Sequence, residues 1–337
     1  MKLKKNKYLI ILAGGKSQMP LIYAAKKLDL NLIIVDRNKD CPGKMFADIF
    51  INSSTDNHEK IVLYLKKKKI KKNHIAGIIT RSSGRSTKTM SMLQKKFKLD
   101  GTNPNSVETV LNKNKLMSFC KNKKILAPYT LIKRVDKKIP KVVNFPLVVK
   151  PSFATIGKTG ISIVENNEDL AQAISLAQKY TENKYINIEE KIEGKDIVVI
   201  GLVKNHRFSR LCIIDEMNKV VKNKILRNGY RNPSIHTSVF AEKKINLITN
   251  KIVKELKINN CPLSISLKIN DSGIVYLIEI NLEISGELIH EKLLKIKNKK
   301  FNSFEWYLKN LFLNSKIRTP KKFLNKSIFI NDKMLYN

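Results

Sequence analysis

Residues 145–160 read FPLVVKPSFATIGKTG. Leu147, Val148 and Val149 make a short apolar run of the kind that fills a buried strand. The run delivers a lysine, Lys150, at its end, and a strand end is a rigid mount from which to aim a charge. From Ser152 to Gly160 the chain turns to small residues with two glycines, Gly157 and Gly160. Such backbone can fold over a phosphate and offer N–H donors. Taken alone, the loop reads equally as a hairpin turn and Lys150 as a half-exposed strand-end lysine. Ile161–Val164 (ISIV) reads as a second strand, so the loop joins strand to strand.

That placement argues against a P-loop, although SFATIGKT ends in Gly-Lys-Thr. A P-loop opens a helix and needs a first glycine where Ser152 stands. The amino-terminal IILAGGKS has Ile10 at that position and fails in the same way. Asp36 lies 21 residues after Gly15 at the end of a second strand, which invites a dinucleotide site. AGGKSQ lacks the GxGxxG spacing, however, and a simple tight turn at Gly14-Gly15 accounts for it.

Outward from this stretch the chain divides. Before residue 105, buried runs at Tyr8–Ala13, Asn31–Val35, Ile49–Ile51 and Ile75–Thr80 alternate with helical patterns at 20–28, 58–69 and 87–97. Alternation of this type predicts a small doubly wound parallel sheet. Beyond it, residues 107–122 read as one or two helices. After the loop come a helix over 168–180 and strands over 185–188, 197–203 and 210–214. A helix over 244–256 precedes two strands, 263–269 and 274–280, joined by an Asn-Asp-Ser-Gly turn. A helix over 304–313 and a strand over 328–330 close the chain. Glu279 and Asn281 alternate with apolar residues, which puts a carboxylate and an amide oxygen on one strand face, suited to Mg²⁺.

The 337 residues carry 65 Lys and Arg against 28 Asp and Glu, a net charge of +37. Only nine of the bases are arginine, and the lysines are spread along the chain beside abundant asparagine and isoleucine. Those three residues share A/T-rich codons, so the excess reads as genome bias rather than a nucleic-acid footprint, which needs clustered bases and arginine. The densest run, Lys66–Lys72, sits at a helix end, where cations suit the dipole. No apolar run reaches membrane-spanning length. Four scattered cysteines without a CxxC argue against a zinc site or a disulfide scaffold and fit a reducing cytoplasm.

Four segments in this order resemble the ATP-grasp superfamily, in its carbamoyl-phosphate synthetase, biotin carboxylase and amino-acid ligase branch. They are Asn114-Lys115 with Ile125–Pro128, then 145–151, then Ile188–Asp196 (IEEKIEGKD), then Tyr276–Asn281 (YLIEIN). The resemblance covers residues 7–295. It implies an α/β plus α+β chain: a Rossmann-like domain (1–105), a lobe with the phosphate lid (106–187), a lobe with the metal site (188–300) and a terminal helix and strand (301–337). It implies that Lys115 and Lys150 contact ATP phosphates and that the loop around Gly157 closes as a lid. Glu189, Glu190 and Ile192 would lie at the hinge, reading adenine through their backbone, and Asp196 would take the ribose. Glu279 and Asn281 would hold Mg²⁺.

Two positions depart from the family. Ser266 stands thirteen residues before Glu279, where a second metal ligand is usual, and Glu283 replaces an arginine two residues after Asn281. Arg227 and Arg231, in a segment (225–234) resembling a substrate-side loop, are the candidates to supply that charge. Glu283 is expected on the same strand face as Glu279. The expected chemistry is ADP-forming ligation, in which ATP activates a small carboxylate as an acyl phosphate for attack by an amine. The alternative is a degenerate nucleotide-binding protein without turnover. Expected partners are small molecules, with no specific nucleic acid and no membrane. Some relatives continue beyond the last strand, which leaves room for a further lobe or a homodimer partner.

Overall fold

The computed structural model describes residues 7–137, 144–153, 159–221, 223–286, 289–297, 300–313 and 328–331. Gly157 lies outside them. Residues 8–96 form a four-stranded parallel sheet from β1 (Tyr8–Leu12), β2 (Asn31–Asp36), β3 (Ile49–Asn52) and β4 (Ile75–Thr80), in the order β3-β2-β1-β4. Helices α1 (Met19–Lys27), α2 (His58–Lys67) and α3 (Arg85–Lys96) alternate with the strands. Strands β1 and β2 are buried on both faces, which is why they read as continuous apolar runs. The turn after β1 is tight: Gly14 N–H donates to Asp36 at 2.7 Å, and a Cβ on Gly14 would meet Cys41 Sγ at 2.8 Å. Asp36 is thus occupied in holding its own loop. Helix α2 is capped by Asn57, and the lysines at its end are exposed.

Two short helices, α4 (Pro104–Leu111) and α5 (Lys113–Asn122), lead to a four-stranded antiparallel sheet. Its strands are β5 (Thr130–Arg134), β6 (Leu147–Pro151), β7 (Ser162–Val164) and β8 (Tyr185–Glu190), in the order β5-β8-β6-β7. Strand β5 was not foreseen in the sequence. Helix α6 (Asn167–Tyr180) packs on one face of this sheet through Leu170, Ala173, Ile174 and Ala177.

The third sheet holds β9 (Lys195–Lys204), β10 (Arg207–Val221), β11 (Lys224–Asn232), β12 (Cys261–Ile269), β13 (Val275–Asn281) and β14 (Ile328–Asn331). Its order is β13-β12-β9-β10-β11-β14. The segment 225–234, expected as a loop, is mostly strand β11, flanked on both sides by antiparallel neighbours. Helices α7 (Val239–Glu255), α8 (Leu294–Lys297) and α9 (Ser303–Phe312) complete the chain. Strand β14 pairs with β11, so the last strand is part of this sheet. The chain passes from the small sheet to the large one over residues 191–194, slightly beyond the boundary read at 187/188.

One apolar cluster runs from Ile10 and Ile33 through Leu116 to Ile265 and Leu277, and so crosses from the first sheet through α5 to the third. No helix among the described residues is long and apolar enough to cross a membrane. All four cysteines are free and buried, and burial pushes the Cys120, Cys212 and Cys261 thiols up to about 12.

Candidate active site

Strands β6 and β8 run antiparallel, with Lys150 opposite Asn187 and Val148 opposite Glu189. Alternation sends Leu147, Val149, Ile186 and Ile188 into the core under α6. Lys150, Asn187 and Glu189 share the other face. Lys150 Nζ lies 2.6 Å from Glu189 Oε2, with both side chains under a tenth exposed. Asn187, fully buried, donates from Nδ2 to Glu189 Oε1 at 3.1 Å. Glu189, read as a hinge residue acting through its backbone, therefore also places its carboxylate on the lysine.

The base of the loop after Lys150 is anchored on two sides. Ser152 N–H donates to Tyr185 O at 3.1 Å, and Lys113 N–H donates to Ser152 O at 3.0 Å. Asn183 Nδ2 donates to Ser152 Oγ at 3.2 Å. The hinge follows. Glu190 N–H donates to Tyr129 O at 3.0 Å, and its carboxylate accepts from Tyr129 N–H at 2.8 Å. Ile192 is half-buried between the sheets' strands. At Gly194 φ is +139° and a Cβ would lie 2.2 Å from Ile269 O, so only glycine fits this entry into β9.

Glu279 and Asn281 stand on β13 opposite Ser266 and Ser264 of β12. Both are partly exposed with Ile280 buried between them. Glu279 Oε1 has Lys113 Nζ at 3.8 Å. A carboxylate, an amide oxygen and the Ser266 hydroxyl form an all-oxygen donor set, which fits a hard cation whose remaining ligands come from phosphates and water. No group of three or more His, Cys, Asp or Glu able to hold a metal occurs among the described residues.

Other expected residues fall differently. Lys115 is half-exposed and pairs with Glu108 at 3.4 Å, whereas Lys113, two residues earlier, faces Glu279. Residues two apart on a helix point away from each other, so only one of these lysines can face the site. Asp196 is held by Lys268 at 2.8 Å and by Asn218 at 3.0 Å. Arg227 lies on β11, donates to Tyr230 OH at 3.2 Å and stacks 5.3 Å from its ring centre. Arg231 pairs in register with Asp215.

Glu283, expected on the strand face of Glu279, lies just past the end of that strand and is buried, with the Glu279 charge close enough to act on it. Strand β13 ends at Asn281, and Glu283 turns into the junction with the first domain, where Thr87 Oγ1 of α3 donates to it at 3.2 Å. Burial pushes its carboxyl up to about 7, against the Thr87 hydrogen bond and helped by the nearby Glu279 charge.

The sequence reading missed Arg81. It follows β4, its side chain is 2% exposed, and its Nη1 lies 2.6 Å from Glu291. It also donates to Ser17 O and to Ser285 O, and its guanidinium sits 4.9 Å from the Phe304 ring centre. One signal was legible: an arginine in an arginine-poor chain, placed at the carboxyl end of a parallel strand, where doubly wound sheets bind ligands.

Residues 143–291 match the family model of the ATP-grasp domain. The chain is 27% identical over 187 residues to a formate-dependent phosphoribosylglycinamide formyltransferase of Prochlorococcus marinus subsp. pastoris, covering 54% of this chain and 46% of that protein. It therefore spans about half the length of this curated relative. Among solved structures it is similar to an L-amino acid ligase from Bacillus licheniformis, with a TM-score of 0.74 and 18% identity, covering 92% of this chain and 75% of that one. It is also similar to N5-carboxyaminoimidazole synthetase from Staphylococcus aureus complexed with ADP, with a TM-score of 0.73 and 15% identity, covering 94% and 80%. The segment that matches the ATP-grasp domain holds the Lys150 strand, the connection between the two antiparallel sheets and the Glu279 strand, and it follows a Rossmann-like domain.

Proposed function

We propose that this protein is an ATP-dependent ligase that activates a small carboxylate as an acyl phosphate for attack by an amine, releasing ADP. The observation that carries the reading is the Lys150–Glu189 pair at 2.6 Å, set at the base of the small-residue loop and one residue before the hinge. A lysine held rigidly at the start of a segment of small residues is suited to phosphate oxygens. Phosphoryl transfer asks mainly for positioning and charge neutralisation, which this arrangement can supply. Lys150 and Lys113 would neutralise phosphate charge, and Glu279 and Asn281 would hold the Mg²⁺ that ATP brings. Glu190 and Ile192 would frame the adenine through their backbone, and Asp196 would meet the ribose once released from Lys268. Arg227 and Arg231 are the proposed contacts to the acid, with Arg81 as a further cation on the domain junction. The relatives support an acid joined to an amine: one is named for formate and phosphoribosylglycinamide, another as an amino acid ligase. The protein would act on soluble metabolites in the cytoplasm.

A screen of carboxylates and amines with Mg-ATP tests this, read by chromatography of the nucleotide products. ADP and phosphate are expected, formed only when both substrates are present. AMP and pyrophosphate would sink the mechanism. A second reading, nucleotide binding without turnover, is favoured by Ser266, which leaves Glu279 as the one carboxylate of the β12–β13 pair facing this site. ATP that binds but survives every acid and amine combination would establish it.

A further inference from the structure

We propose that Arg85, in the first turn of α3, is a positioning residue that sets the end of β6 for the nucleotide phosphates, a role that rests on the proposed phosphate contact of Lys150. Strands β5–β8 and α6 form a lobe whose apolar cluster contains residues of that lobe alone. The two larger clusters each join the first domain to the large sheet. Shared cores fix those two parts against each other, because packed interiors deform little. The orientation of the lobe leans instead on polar contacts at its rim.

A cleft of about 470 Å³ lies between the first domain and the lobe, with Asp56, His58 and Lys88 on one wall and Phe153, Glu182 and Asn183 on the other. Arg85 spans it. Its Nη2 lies 2.7 Å from Glu182 Oε2, and its Nη1 lies 3.9 Å from Asp56 Oδ2 in its own domain. The planar fork of arginine suits two acids at once. A cation in the first turn of a helix opposes the helix dipole, and α3 has no acid in that turn to offset it. Local helix stability therefore does not account for an arginine at residue 85, whereas the acid across the cleft does. From Glu182 the restraint passes to β6. Glu182 N–H donates to Phe153 O at 3.0 Å, and Asn183 Nδ2 donates to Ser152 Oγ at 3.2 Å. Asn183 Oδ1 also accepts from Tyr185 N–H at 3.2 Å, which closes the turn into β8. On the other side, Lys113 N–H holds Ser152 O. Ser152 and Phe153 are thus gripped between α5 and the Glu182 turn, two and three residues after Lys150. A group that meets phosphate needs its mount fixed to within about 0.5 Å, and Arg85 ties that mount to the first domain.

The test is equilibrium binding of MgAMP-PNP and of AMP to the full chain, with the ratio of the two affinities as the readout. A general loss of stability moves both nucleotides together, whereas a displaced phosphate end moves the ratio. Arg85→Gln should lower the preference for MgAMP-PNP by about three- to fivefold, near the upper limit for a partly exposed ion pair. Arg85→Lys, which keeps the charge, should lose less. Glu182→Gln should match Arg85→Gln, and adding Arg85→Gln to Glu182→Gln should change the ratio by no more than about 1.5-fold, because the two act as one unit. Lys88→Gln removes the same charge from the same cleft, but its partner Glu108 belongs to α4 and not to the lobe. Its ratio should stay within about 1.5-fold of the parent. An unchanged ratio in Arg85→Gln overturns the proposal, as do equal effects of Arg85→Gln and Lys88→Gln or additive effects of the Arg85 and Glu182 substitutions. A parent protein with no preference for MgAMP-PNP over AMP overturns the phosphate contact of Lys150 itself, and the role of Arg85 with it.

Discussion

The β6–β8 ladder and the end of β13 each bury a carboxylate, and they hold it in opposite ways. Glu189 has a cation at 2.6 Å and an amide donor at 3.1 Å. Glu283 has one hydroxyl donor at 3.2 Å and another carboxylate for company. In the first place charge is compensated by charge. In the second, burial without a cation drives the group towards its neutral form. The difference shows that an acidic residue's neighbours across the sheet or the domain junction decide its chemistry, more than its position along a strand.

The largest expected effect comes from breaking the first arrangement. Lys150→Met leaves Glu189 buried without its cation, and should cost about 3–5 kcal/mol of stability in urea unfolding. Lys150→Met/Glu189→Leu should recover most of that loss, while nucleotide affinity stays low in both variants. A Lys150→Met protein as stable as the parent would show that the pair does not hold the sheet. From sequence alone Lys150 looks removable without harm to the fold, and its partner is what makes it otherwise.

Breaking the second arrangement gives a pH effect. The Glu283 carboxyl moves from the ordinary 4.5 to about 7 in the fold. The folded state therefore holds the proton more tightly, and this contribution to stability falls as pH rises from about 4.5 through 7. Between pH 5 and pH 8 the loss should be about 2–3 kcal/mol in metal-free buffer, and Glu283→Gln should abolish it. His290 supplies a contrast. Buried between Ser285 and Ser303, it is pushed down from 6.5 to about 3 by burial and by Arg81. Its contribution is present above 6.5 and is lost as pH falls towards 3, the opposite slope. Unfolding curves of wild type and Glu283→Gln at both pH values separate the two, and parallel curves would remove Glu283 from the account.

The proposed metal strand gives a smaller effect. Glu279→Gln removes the charged member of an oxygen donor set, and should raise the Mg²⁺ concentration for half-maximal ADP formation by about tenfold. Ser266→Asp, directly opposite in register, should lower it. The smallest effect separates two neighbouring lysines. Lys115→Ala, on an exposed pair with Glu108, should cost no more than about 0.5 kcal/mol and leave ATP affinity unchanged. Lys113→Ala, beside Glu279, should weaken ATP binding by several-fold. The reverse pattern in equilibrium binding would return the phosphate contact to Lys115.

Much of this was legible along the chain because it is local. Continuous apolar runs mark β1, β2 and β4, since a parallel strand buried on both faces has no polar side to show. The alternation around Glu279 and Asn281 marks a strand with one partly open face. These patterns marked the doubly wound first domain, the Glu279 strand and the strand-end position of Lys150, while the ATP-grasp reading rested on the resemblance of four motif segments in order. Tertiary structure alone decided which charges meet. Residues 150 and 189, 81 and 291, and 87 and 283 are far apart in sequence and are joined by sheet register or by packing between domains. Residues 225–232 became strand β11 because β10 and β14 flank them, although Arg-Asn-Gly reads locally as a turn. Helical rotation placed Lys113 at Glu279 and Lys115 in solvent. Local propensity sets which backbone a segment adopts. Long-range pairing in a low-dielectric interior sets which side chains it brings face to face, and no spacing along one chain records that.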